Sequence, residues 1–186
     1  MNTATVIVLI IAIVAIAVAI WMYLQKEKSR KLRGKFGSEY DRVVEQEKGN
    51  ARRAEAVLES RQKRVSKFNL RTLTPLECDR FTGEWRRVQE LFVDDPRMAV
   101  AKADTLVNEA LRARGYPMGD FEQRAADISV EHPDVVENYR IAHDIALRDE
   151  RGQATTEELR RAMQHYRNLF EHVLDTHVTQ YEEVHR

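Results

Sequence analysis

The side chains best suited to acid–base or metal chemistry near neutral pH are six histidines: His132, His143, His165, His172, His177 and His185. A helical metal site needs its ligands three or four positions apart on one face. His165 and His172 are seven apart and nearly co-facial, whereas His177 is five beyond His172 and diverges. Glu182 and His185 form one Glu-x-x-His pair, but a di-iron bundle requires a second, which the sequence lacks. No metal ligand and no cofactor is therefore expected. His143 and His177 lie on or beside apolar stripes, where a hydrogen-bonded packing ring is the expected role. The carboxylate pairs Asp94-Asp95 and Glu157-Glu158 stand at helix starts, where anions complement the positive end of the helix dipole. Cys78 is the single cysteine, which excludes an intramolecular disulfide and a multi-cysteine zinc site. Gly-x-Ser-x-Gly, phosphate-binding glycine loops and His-Glu-x-x-His are all missing, so no catalytic residue is expected. The sequence favours a protein that is not an enzyme; the alternative is an enzyme whose site assembles from scattered polar side chains. The loop-rich stretch from Arg114 to Pro133 is where a functional surface is expected, with Tyr116, Asp120 and Arg124 as its candidates.

These residues must be positioned by helices. Glycine and proline fall mostly between amphipathic stretches, and no stretch alternates as a half-buried strand would. The expected fold is all-α: an N-terminal transmembrane helix, a long amphipathic stalk helix, then a helical-bundle-like body. Residues 38–73 hold the stalk. Tyr40, Val44, Glu47, Ala51, Ala54, Leu58, Arg61, Val65 and Phe68 recur at spacings of four and three. That coiled-coil-like seam offers a homo-oligomer contact through residues 38–68, with a kink at Gly49-Asn50. Residues 74–186 form the helical domain. Thr74-Pro75-Leu76-Glu77 and Thr155-Thr156-Glu157-Glu158 are capping-box starts, and Asp95-Pro96 starts a helix that ends at Gly115.

Residues 1–5 read as a short tail, 6–24 as the transmembrane helix and 25–37 as a basic juxtamembrane segment. The first 24 residues carry no Asp, Glu, Lys, Arg or His. Val6 to Leu24, as a helix, would extend about 28 Å, close to the hydrocarbon thickness of about 30 Å. Behind it stand Lys26, Lys28, Arg30, Lys31, Arg33 and Lys35 against one acid, Glu27. The positive-inside rule then places the N-terminus outside and the body in the cytoplasm, at the cell membrane. Trp21, Tyr23 and the six cations are the expected membrane-surface contacts, with anionic lipid as their partner. A signal peptide removed before export is the competing reading, although the leader has no basic residue and the apolar run is long for one. The chain has zero formal net charge, so its remainder is mildly acidic and no nucleic-acid partner is expected.

The segment Leu32-Arg33-Gly34-Lys35-Phe36-Gly37-Ser38-Glu39-Tyr40 resembles the opening of an uncharacterised family of bacterial membrane-anchored helical proteins, often labelled hypothetical or secreted. So does Arg114-Gly115-Tyr116-Pro117 with Asp120-Phe121, Ala125, Asp127, Ser129-Val130, His132-Pro133, Val135-Val136 and Tyr139-Arg140. That resemblance implies a bacterial source and a helical body, and no activity. The expected function is a membrane-anchored, non-enzymatic interaction or scaffolding module with an unknown protein partner.

Overall fold

A computed structural model describes the backbone of residues 3–184, with side chains described except for residues 3–11, Val14 and residues 175–184. The described residues form eight helices and no strand: α1 Thr3–Phe36, α2 Ser38–Gln46, α3 Ala51–Val65, α4 Pro75–Asp94, α5 Pro96–Ala113, α6 Phe121–Glu131, α7 Val136–Glu150 and α8 Thr156–Val184. They fall into two compact units, Met1–Leu58 and Glu59–Arg186, divided within α3.

In the first unit α1 packs on α2. Leu32, Phe36, Tyr40, Val43, Ala54 and Leu58 are buried, and the buried Glu55 carboxylate accepts from Ser29 Oγ and from Tyr40 Oη at 3.1 Å. Ile13, Ile16, Val18, Ile20 and Trp21 to Leu24 are exposed. Among the described residues, however, no helix is long and apolar enough to cross a membrane. Residues 6–11 of the expected span lie outside the described side chains. The expected single-pass cell-membrane placement, outside N-terminus and cytoplasmic body are corrected accordingly.

A second correction concerns the stalk. It is two helices, because Lys48 and Gly49 take φ of 55° and 81° between them. Tyr40, Ala54, Leu58 and Val65 of its seam are buried within this chain.

The second unit begins inside α3, earlier than residue 74. Its helices α4 and α5 form a hairpin, α5 packs on α8, and α7 pairs with α8. Phe81, Val100, Val107, Leu111, Tyr166 and Leu169 sit in one core, and Trp85 stacks on Phe170 at 4.7 Å. The starts are fixed as the sequence predicts. Thr74 accepts from Glu77 N, and the Glu77 carboxylate accepts from Thr74 N, while Pro75 needs no donor partner. Asp95 caps α5 through Met98 N, Asp120 caps α6 through Gln123 N, and Thr155 and Glu158 repeat the reciprocal box.

Candidate docking groove and the network beside it

The expected candidates resolve differently from their sequence reading. Tyr116 is buried, with its hydroxyl pushed well above the ordinary range by burial. Asp120 is a helix cap, and Arg124 belongs to a side-chain network. Of the expected lipid contacts, Arg30 and Lys31 reach Glu27 at 3.0 and 3.9 Å. Arg33 pairs with Asp41 at 2.6 Å and lies over the Tyr40 ring. Lys35 lies over Phe36, and Trp21 faces Arg52 at 5.4 Å. Lys28 is also engaged, while Tyr23 and Lys26 are exposed. Arg30, Lys31 and Arg33 nonetheless keep most of their side-chain surface exposed.

The histidines also separate. His143 stacks on Phe121 at 3.7 Å, and burial lowers its pKa. His165 Nδ1 lies 2.7 Å from Asn138 Oδ1. His172 Nδ1 lies 2.9 Å from the Asn168 carbonyl, with Asp134 at 3.6 Å from Nε2. His132 is buried against Arg114, 3.3 Å away. The side chains of Glu182, His177 and His185 lie outside the described residues, among which no group of three ligands could hold a metal. Cys78 is half-buried beside the core.

One polar network crosses four helices. Arg124 Nε donates to Tyr139 Oη at 2.7 Å, and Tyr139 O–H donates to Asn108 Oδ1 at 3.0 Å. Asn108 Nδ2 donates to Asp104 Oδ2 at 3.0 Å, and Tyr166 O–H donates to Asp104 Oδ1 at 2.9 Å. Each donor leads from the Arg124 cation toward the Asp104 carboxylate. Burial raises the Tyr139 pKa to about 12, so the hydroxyl stays a donor throughout the neutral range. Both Asp104 oxygens are occupied, which suits the network to fixing helix register rather than to taking a substrate proton. Tyr139→Phe should cost about 2 kcal/mol in urea denaturation, because it orphans both Arg124 Nε and Asn108 Oδ1. Tyr166→Phe should cost about half that, since half-buried Asp104 can recruit water. Equal, negligible losses for both would remove the network from the stability account.

A surface groove lies on the α4–α5 hairpin. A groove of about 410 Å³ runs between the two helices, with Val88, Leu91 and Leu106 as an apolar floor. Its rim carries Glu84 and Arg87 from α4, and Lys102, Thr105 and Glu109 from α5. Among the described residues none of these four charges makes an ion pair or a side-chain hydrogen bond. A smaller groove of about 180 Å³ lies between α4 and α8. There the cations Arg160 and Arg167 are already paired, with Glu157 and Glu171, both at 2.6 Å. The first groove was visible in sequence only as a faint signal: Leu91 falls beside the Phe81–Trp85–Val88–Phe92 stripe and widens it. On α5, Lys102, Thr105 and Glu109 share one face by helical spacing.

No family model, curated protein or solved structure matches this chain.

Proposed function

We propose that this chain is a non-enzymatic interaction module that docks a helical segment of another protein in its α4–α5 groove. The observation carrying this reading is the groove's construction: an apolar floor of Val88, Leu91 and Leu106 beneath four rim charges without partners among the described residues. Two antiparallel helices leave between them a furrow suited to a third, and an amphipathic helix fills such a furrow with its i, i+3, i+4 and i+7 side chains. A rim of charges around an apolar centre is also how protein interfaces are arranged.

Thr105 provides the test, since it is exposed and its hydroxyl donates only to the Ala101 carbonyl. In the full chain, Thr105→Trp places an indole in the groove without disturbing the core. The probe is an 18-residue amphipathic helical peptide, labelled and followed by fluorescence anisotropy. The wild type should bind it and the variant should bind at least about tenfold more weakly, a loss of about 1.4 kcal/mol, with unchanged circular dichroism. Equal binding by both proteins, or none by the wild type, would dismiss the groove as a docking surface.

A further inference from the structure

The rim charges are sorted by sign along the groove, and this gives the docked helix a direction. The α4–α5 turn is at Asp95. Arg87 precedes it by eight residues and Lys102 follows it by seven, so both stand about 10–12 Å along their helices from the turn. Glu84 and Glu109 lie farther out, at about 16 and 21 Å. Because the two helices are antiparallel, the half of the groove nearer the turn carries the basic pair and the farther half the acidic pair, about 4 Å apart along α4 and about 10 Å apart along α5. The apolar floor runs alongside both, with Leu91 about 6 Å from the turn, Val88 about 10 Å and Leu106 about 16 Å.

Resting on the docking reading above, the geometry points to a guest helix that runs parallel to α5, with acidic side chains in its first turn and basic ones in its last. Its acidic end meets Arg87 and Lys102; its basic end meets Glu84 and Glu109. Such a guest also satisfies its own dipole, which favours anions at the N-terminus and cations at the C-terminus. A guest with the opposite charge order must run the other way to match the rim. A guest with one sign of charge throughout meets repulsion at one end in either direction. A second copy of this hairpin, groove against groove, would leave two concave surfaces facing each other, so a convex single helix is the better complement.

Three peptides with the same apolar positions test this against the full-length protein: one acidic-first and basic-last, one wholly acidic and one wholly basic. The matched peptide should bind about tenfold more tightly than either single-sign peptide, and the preference should fade at 1 M salt as the rim charges are screened. A nitroxide at its N-terminus should broaden amide signals near Met98 rather than those near Glu109. In the four-site variant Glu84→Lys, Arg87→Glu, Lys102→Glu and Glu109→Lys, the same nitroxide should broaden signals at the Glu109→Lys end instead. Equal binding of all three peptides, with loss on Thr105→Trp, would overturn the polarity and leave the docking reading standing. Failure of every peptide to bind would remove both.

Discussion

Gly115→Ala is expected to destabilise the second unit by about 3 kcal/mol, whereas Gly152→Ala should cost only about 1 kcal/mol. Both glycines have positive φ, 95° and 71°, and any L-residue there accepts backbone strain. They differ in what a methyl group meets. At Gly152 nothing lies within 4 Å, but at Gly115 a Cβ would stand 2.4 Å from the Asn69 carbonyl oxygen. The Asn69 oxygen is backbone, so no rotamer change relieves the clash. Tightness at this point has a structural cause. The segment before α4 runs back against the end of α5, where Arg71 N donates to the Arg114 carbonyl at 2.9 Å. Tyr116 N also closes on the Leu111 carbonyl, satisfying an end of α5 that would otherwise lack a donor. Urea denaturation of the two variants measures the difference directly. Equal losses would mean that the chain before α4 yields freely, and that backbone conformation alone makes glycine necessary at 115.

The second large effect is acid sensitivity centred on His132. His132 closes the end of α6 through its backbone N–H, which donates to the Ile128 carbonyl, and it is 8% exposed; its ring Nε2 faces Arg114 Nη1, which also points to the Val173 carbonyl of α8 at 3.4 Å. A guanidinium only donates, so Nε2 must accept and the ring must be neutral. Burial foremost, then the Arg114 charge and His172, lower its pKa from 6.5 to about 4, against a smaller opposing pull from Asp134. The sign follows from linkage. A histidine whose folded pKa lies below its unfolded one contributes stability that is complete above pH 6.5 and is lost as pH falls through 4. The gap corresponds to about 3 kcal/mol. Measured from pH 7.5 down to pH 4, the wild type should therefore lose about 3 kcal/mol more than His132→Gln, whose side chain keeps an acceptor but does not titrate. Parallel stability curves for the two proteins would show that proton uptake at His132 does not oppose folding.

Much of the fold could be read from the sequence because its signals are local. Thr74 with Glu77, Asp95 before Pro96 and Thr155 with Glu158 announce helix starts through bonds made within one turn. Gly115 announces a stop in the same way. The stalk was legible in its apolar spacing but not in its length, since two successive residues of positive φ, Lys48 and Gly49, outweigh a seam that continues across them. Tyr116 shows the opposite failure. It sits in a loop by sequence, yet the return of the chain over the end of α5 buries it. The Arg124–Tyr139–Asn108–Asp104 network joins residues up to 35 positions apart, and no local spacing reports that. The groove was legible only faintly, in Leu91 beside the α4 stripe, because its shape depends on how α4 and α5 face each other. The uncharged start of the chain is conspicuous in sequence, but the described part of α1 does not support a crossing helix.

The docking groove is the central claim, and amide chemical shifts of the full chain titrated with the acidic-first helical peptide test it most directly. Shifts should concentrate at Val88, Leu91, Thr105 and Leu106 and saturate together. Changes confined to Trp85, Phe92 and Met163, in the smaller groove beside α8, would place the contact on the wrong face of α4 and contradict the account.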